Sequence, residues 1–467
     1  MNRSFKISFW SCAILAVGLR LLLFWVNPSQ NFFDNHFEPI YWIIEHGTIP
    51  PKDAFWQSYQ LPVFYVVSAF FGKLAISIGI PIVIIPKMLQ FLSCFYGMLT
   101  LGVIYLILKK TPLSDLSKLI AFGVACFLPV HIYTSAIHSN DTMSNLFVAI
   151  CVYLMLATSE RKFSYPYVVL LSLVTSITLF TKYTSFVVIP MLLAIFAPVL
   201  FRRMIIPRRK LGTIVLLLIV LPLSFLGAYF CANIKNYHDP LPLWHEWHDT
   251  VQIQPRAENG LNFFNFKPWK SITTPIIAPW NIDSFWTLIY SRMWFDMEPK
   301  FLYLIDQNWA FWYPYFGWMR GENAFPHDIQ LTPFTHLTGS TLIALGLIPL
   351  LLVVMGLYCS VSRKFFIRTE SNCGEFTGMQ IFPVLLIFNA AGIIALALKA
   401  PVFSSIKATY FLNSLPAFAV FLGLGGMLCE KYRMIKWILI FFLSFLFVFV
   451  TVHIIHIAWS CRFGLGI

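Results

Sequence analysis

Residues 7–39 read ISFWSCAILAVGLRLLLFWVNPSQNFFDNHFEP. The first 21 of them, 7–27, carry a single charge, Arg20. A helix needs about 20 apolar residues to cross a bilayer, so 7–27 reads as a span. It is long and has no small-residue cleavage site, which marks a retained signal anchor and not a cleaved leader. Beyond it the chain turns aromatic and polar at once, and an acid, Asp34, arrives within a few residues of the membrane boundary.

Outward from this stretch the pattern recurs. Further apolar runs lie at 87–108, 117–137, 142–158, 165–181, 183–201, 211–232, 337–359, 380–398, 408–428 and 437–459. About 11 transmembrane helices are therefore expected, in an all-α polytopic membrane protein. Composition demands the same class. The 467 residues are 58% hydrophobic and 11% charged, with mean hydropathy +0.73; soluble domains carry about 25% charged residues. Twenty Asp+Glu and 33 Lys+Arg cannot cover the exterior of the two or three soluble domains this length would make. A soluble enzyme, a secreted disulfide scaffold and a disordered chain are excluded. The nine cysteines are scattered and form no CxxC pair.

Charge then orders the spans. Cationic clusters occur at Arg3/Lys6, Lys109/Lys110/Lys118, Arg161/Lys162, Arg202/Arg203/Arg208/Arg209/Lys210, Arg363/Lys364/Arg368 and Lys431/Arg433/Lys436, holding 18 of the 33 cations beside five acids. The positive-inside rule puts all of them in the cytoplasm. They alternate correctly only if 28–86 lies wholly outside, so the apolar run 62–80, with Lys73 near its middle, is expected to be an interfacial or re-entrant helix. The N-terminus is then cytoplasmic and the C-terminus external. Three parts follow: 1–232, a transmembrane core with external loop 28–86 and its juxtamembrane helices; 233–335, a large external segment rich in aromatics; and 336–467, the last transmembrane helices. The net charge of +13 is a topology signal, and no nucleic-acid partner is expected. The expected location is multi-pass, in a bacterial inner (plasma) membrane rather than the endoplasmic reticulum.

Chemistry, on this topology, belongs to the outer face. Asp34, among Phe32, Phe33 and Phe37, has the partial desolvation that tunes a general base; the plainer account is a helix cap. Asp141, in IHSNDTMSNLF, is a second acid at a membrane boundary, or the N-cap of span 142–158. Lys182 in LFTKYTSF, Lys407 and Tyr410 in SSIKATYFLNSLP, and Lys87 stand at external span ends. A lipid phosphate needs such cations; snorkelling is the alternative. Arg20 is expected to snorkel or to pair internally. His238, His245 and His248, with Glu246 and Asp249, leave a zinc site open, though Pro240 and Pro242 break the helix such a site would need.

Taken in order, these residues resemble the membrane glycosyltransferases of the GT-C fold, most nearly the protein O-mannosyltransferase and aminoarabinose-transferase group, the family 39-like set. Asp34 stands where that group has a catalytic Asp soon after the first span. Gln60-Leu61-Pro62 stands where His-Pro-Pro or Lys-Pro-Pro is usual. NDTMSNLF resembles the acidic second-loop motif, with Asp141 in the acidic position. LFTKYTSFVVIP resembles a Lys-bearing turn, giving Lys182. NIKNYHDPLP resembles a Tyr-Gly-Asp-Pro segment in which His238 replaces the Gly. IKATYFLNSLP resembles a late Arg/Lys-x-x-Tyr span, giving Lys407 and Tyr410.

The resemblance implies sugar transfer from a polyprenyl-phosphate-linked donor to a lipid, glycan or protein acceptor, with inversion. Asp34 and Asp141 would be catalytic, and Lys182, Lys407 and Tyr410 would bind the lipid phosphate. No cofactor is expected, a divalent metal being the alternative. The competing classes are a polytopic transporter and a lipid-linked glycan flippase or ligase. The charge alternation predicts that a membrane-impermeant thiol reagent added outside labels Asp34→Cys and spares Lys110→Cys; equal labelling of both from one side overturns the topology.

Overall fold

The computed structural model of the chain describes residues 3–29, 36–55, 57–200, 206–242, 262–275, 284–295, 333–361, 378–399 and 406–464. The described residues are 82% helical and include no strands. Helix α1 (Arg3–Val26) is followed by α2 (Phe37–His46), α3 (Val63–Ser77), α4 (Ile85–Lys109), α5 (Asp115–Phe127) and α6 (Pro129–Ser135). Then come α7 (Asn140–Glu160), α8 (Tyr165–Leu179), a 3₁₀ turn (Tyr183–Val187) running into α9 (Val188–Leu200), and α10 (Arg208–Val215) joined to α11 (Leu221–Tyr237). Helices α12 (Pro268–Thr273) and α13 (Phe285–Phe295) lie in the aromatic segment. The chain ends in α14 (Pro333–Leu345), α15 (Leu347–Val361), α16 (Ile381–Lys399), a 3₁₀ segment (Ala408–Ser414), α17 (Leu415–Cys429) and α18 (Arg433–Gly464).

Among the described residues, 8 helices are long and apolar enough to cross a membrane, or 9 if the bent pair α5–α6 is one span. Of the 11 expected spans, 165–181 and 183–201 fall on shorter apolar helices, Tyr165–Leu179 and Tyr183–Phe196, so length and composition support a smaller count there. The run 62–80 is also short. At about 1.5 Å per residue, the 15 residues of α3 reach about 22 Å, less than the ~30 Å hydrocarbon core.

Prolines explain the breaks. Pro129 has no N–H and pushes the preceding Leu128 to φ −69°, ψ 112°, extended as a residue before proline should be, and the axis bends by 50°. Between α10 and α11 the backbone widens into a π turn over Leu216–Val220, just before Pro222; the wider register accommodates the missing donor.

The cationic clusters among the described residues gather at one end of the bundle. Lys110 pairs with Glu160, Lys210 Nζ donates to the Lys162 carbonyl at 3.0 Å, and Ser114 and Ser117 both donate to Glu430, beside Lys431. Lys109 lies over Tyr105, which packs on Phe9 near the start of α1. Asn27, after the other end of α1, instead donates to the Ala136 carbonyl at 2.7 Å, close to Asp141. Charge has sorted the ends as the sequence pattern requires.

Helices α15 and α17 meet backbone to backbone. A Cβ on Gly356 would lie 1.9 Å from the Phe421 oxygen, and one on Gly425 would lie 2.1 Å from the Leu352 oxygen. Small residues permit such approach where lipid gives helices no hydrophobic reason to associate. Gly425→Ala should therefore force the helices apart and cost about 1–3 kcal/mol, the usual range for overpacking. Thermal unfolding in detergent measures it, and an unchanged midpoint would contradict this packing.

Candidate functional site

The end of the bundle opposite the described cationic loops is first laced by cations acting as caps. Lys87 donates to the Phe24 carbonyl at 2.5 Å and the Asn27 carbonyl at 2.8 Å, closing off the last carbonyls of α1. Gln90 bridges the Asn27 and Ala136 carbonyls at 3.2 and 2.7 Å. Deeper in α1, the fully buried Arg20 donates to the Ala16 and Cys126 carbonyls at 2.9 and 3.1 Å and to His131 Nδ1 at 2.6 Å. A guanidinium has no acceptor, so Nδ1 accepts and the ring carries its proton on Nε2. Arg20 therefore pairs internally and does not snorkel. Lys87 is occupied by carbonyls, which explains its position without a ligand.

Past the bend, the α6–α7 loop carries His138. It stacks on Phe37 with ring centroids 5.1 Å apart, and its Nδ1 is 3.2 Å from Ser93 Oγ. Burial, with His36 alongside, pulls its pKa down to about 3, so the ring is a neutral spacer between the first loop and α7. Ser139 caps α7 by accepting from the Asp141 amide at 3.2 Å. The N-cap is Ser139, which leaves the Asp141 carboxylate free for another partner.

That partner is Lys182. Its Nζ lies 2.6 Å from Asp141 Oδ1, with the two side chains 8% and 7% exposed. Ser139 Oγ donates to the other carboxylate oxygen at 3.2 Å. Nζ also sits 4.9 Å from the centre of the Tyr410 ring, a cation–π distance. Three segments meet here: the start of α7, the 3₁₀ turn after Lys182, and the 3₁₀ segment after Lys407. One turn further in, Ser144 Oγ lies 2.8 Å from Ser185 Oγ and donates to Asn413 Oδ1 at 3.0 Å. Asn389 holds the third segment by donating to the Tyr410 carbonyl at 3.1 Å and Ser414 Oγ at 2.8 Å.

Of the expected site residues, the structure thus brings Asp141, Lys182 and Tyr410 together. Lys407 is half-buried at the head of the segment, its carbonyl accepting from the Tyr410 amide at 3.3 Å. Asp34, His245, His248, Glu246 and Asp249 lie outside the described residues. Among the described residues no cluster of three His, Cys, Asp or Glu is placed to hold a metal ion. His238 adopts φ 58°, ψ 13° at the end of α11, the left-handed conformation that favours glycine, which accounts for a Gly at that position in the motif it resembles.

Sequence reading passed over Asn140, Ser144, Asn145, Ser185, Asn389 and Asn413. Polar residues at 141, 144 and 145 recur at i, i+3 and i+4 within a span, the spacing of one helix face, and that was the available signal. Asn140 and Asn145 are 1% and 2% exposed, and neither end of either amide has a partner among the described residues.

Two solved chains share this fold. The archaeal oligosaccharyltransferase AglB from Archaeoglobus fulgidus, in complex with an inhibitory peptide and a dolichol-phosphate, aligns over 97% of this chain with TM-score 0.51 and 13% identity. The apo form of the Archaeoglobus fulgidus oligosaccharyltransferase aligns over 98%, with TM-score 0.51 and 12% identity. This chain spans 56% of the length of each. No family model matches the chain, and no curated protein matches it in sequence. At such identity the likeness establishes a shared fold alone, and it carries no chemistry with it.

The pair itself makes a prediction. Removing one member of a buried ion pair strands the other charge, which costs about 3–5 kcal/mol, whereas replacing both is often neutral. Asp141→Asn should destabilise strongly, and Asp141→Asn with Lys182→Met should recover most of the loss. Denaturant titration in detergent tests this, and two variants of equal stability would show that the charges are not coupled.

Proposed function

We propose that the chain is an integral membrane glycosyltransferase that moves a sugar from a polyprenyl-phosphate donor to a lipid, glycan or protein acceptor on the external face. The observation that carries this reading is the buried Asp141–Lys182–Tyr410 cluster at the end opposite the cationic loops, in a fold shared with an oligosaccharyltransferase whose solved complex holds a dolichol-phosphate. The closer assignment, to the O-mannosyltransferase and aminoarabinose-transferase group, is supported by the motif order through Asp34, Asp141, Lys182, Lys407 and Tyr410.

In this scheme Asp34 takes the proton of the acceptor hydroxyl as its oxygen attacks the anomeric carbon. The bond from that carbon to the phosphate oxygen breaks, and polyprenyl phosphate leaves with the electron pair. Direct displacement inverts the centre. Negative charge grows on the leaving phosphate, where fixed cations stabilise the transition state most; Lys407 and Tyr410 serve there, with Lys182 held in place by Asp141. Asp141 orients the acceptor side, and the Asn140 amide offers a donor and an acceptor to sugar hydroxyls. The residues named carry each step, so the scheme calls on no cofactor.

Release of polyprenyl phosphate from a labelled lipid-linked sugar, followed in nanodiscs, tests the reading. General-base help is worth about 10²–10⁴-fold, so Asp34→Asn should lower turnover by that much while donor binding persists. A rate within roughly threefold of the parent, far below that range, rules Asp34 out as the base.

A further inference from the structure

The first external loop holds a half-buried cation, and it differs from Lys182 in one respect. Lys182 has a carboxylate against it. Lys52 does not. Its Nζ donates to the Tyr59 carbonyl at 3.0 Å and to the Tyr229 hydroxyl, and lies 4.6 Å from the centre of the Tyr229 ring. Its backbone N–H donates to the Tyr237 hydroxyl at 3.2 Å. All of these partners are neutral, and among the described residues no acid forms an ion pair with it. Burial alone pulls the ammonium down to about 8. A cation taken from water without a counter-charge is costly, and these contacts keep it there.

The surroundings say what kind of anion would restore the balance. Tyr183, the residue after Lys182, donates to the same Tyr59 carbonyl at 3.0 Å, so the two lysine sites share a wall. On the other side stands α11, which offers Tyr229 and Tyr237 to the loop while Phe225 and Ile234 on the same helix are 56% and 48% exposed, as lipid-facing residues are. Lys52 is thus a half-buried ammonium at the seam between a lipid-facing helix and the candidate site. Its tyrosine hydroxyls are donors as well as acceptors, the complement of phosphate oxygens.

We propose that Lys52, with Tyr229 and Tyr237, is an anion site that takes the phosphate of a lipid headgroup. This rests on the lipid-phosphate reading given above and adds to it a residue from the loop. Lys182, already neutralised by Asp141, contributes less to phosphate affinity than Lys52 does.

The probe is farnesyl phosphate, with farnesol and inorganic phosphate as controls, titrated into the full chain in nanodiscs. Lys52→Met should weaken farnesyl phosphate binding at least about tenfold, about 1.4 kcal/mol. Lys52→Arg should keep most of it, and Lys182→Met should change it less than Lys52→Met. Farnesol binding should not respond to Lys52→Met. Equal affinity of the parent and Lys52→Met for farnesyl phosphate overturns the proposal. Inorganic phosphate that binds as tightly as farnesyl phosphate, and loses affinity equally in Lys52→Met, overturns the lipid source in favour of a free-phosphate site. Should Lys52→Met fail to fold, amine labelling of the unmodified protein answers the same question. Farnesyl phosphate should protect Lys52 from acetylation, and unchanged labelling counts against the site. Lys52-dependent binding without any sugar transfer would separate the two claims: the anion site stands and the transferase reading falls.

Discussion

Two opposite charges 2.6 Å apart, each under a tenth exposed, impose conditions on everything around them. Neither tolerates the bilayer alone, so the start of α7 and the turn after α8 must arrive at the same depth. Ser139 supplies the cap that would otherwise occupy the Asp141 carboxylate. The Ser144–Ser185–Asn413 contacts continue the polar seam for another turn, drawing in the segment ahead of α17. Among the described residues, α7 and the span Ala408–Cys429, which joins the 3₁₀ segment to α17, are accordingly the most enclosed of the long spans, each 83% buried over its most apolar stretch. Such a pair is a poor source of stability and a good fixer of register, and here it registers three separate segments.

The same economy of polar groups runs through the half of the bundle that holds this pair. Inside a bilayer every backbone carbonyl needs a partner, and helix ends and breaks create orphans. Lys87 answers those at the end of α1, and Arg20 takes the Cys126 carbonyl where Pro129 interrupts the span. Both cations close backbone defects in this way. Lys52, by contrast, reaches a carbonyl in a loop and a ring hydroxyl, so it closes no helix end.

The sequence made the class, the gathering of the described cationic clusters at one end and the oddity of the run 62–80 legible, because each follows from counts of apolar and charged residues along the chain. Asp141, Lys182 and Tyr410 were legible through motif order, and the meeting of Lys182 with Tyr410 follows from the phosphate role they would share; the Asp141–Lys182 contact was not legible, since 41 residues separate the two. The roles of Arg20 and Lys87 depend on carbonyls that only tertiary folding presents. The break at Leu128–Pro129 was visible as a proline within an apolar run, and reading that run as one straight span passed it over. The two shorter helices at 165–201 read as full spans because apolar flanks look alike whether they are helical or 3₁₀.

The seven residues Ala408–Ser414 form a 3₁₀ helix, which is longer and narrower than an α-helix of the same length. Rewinding them to α would draw the segment in by about 3.5 Å, from the difference in rise of 2.0 and 1.5 Å per residue. It would also unwind the turn by about 20° per residue, from 3.0 to 3.6 residues per turn. The segment therefore behaves as a screw, in which axial travel and rotation are a single motion. Its thread runs through Tyr410, held under Lys182 on one side and by Asn389 on the other. A pull on α17 along its axis would accordingly be felt at the lysine as a turn of the aromatic face.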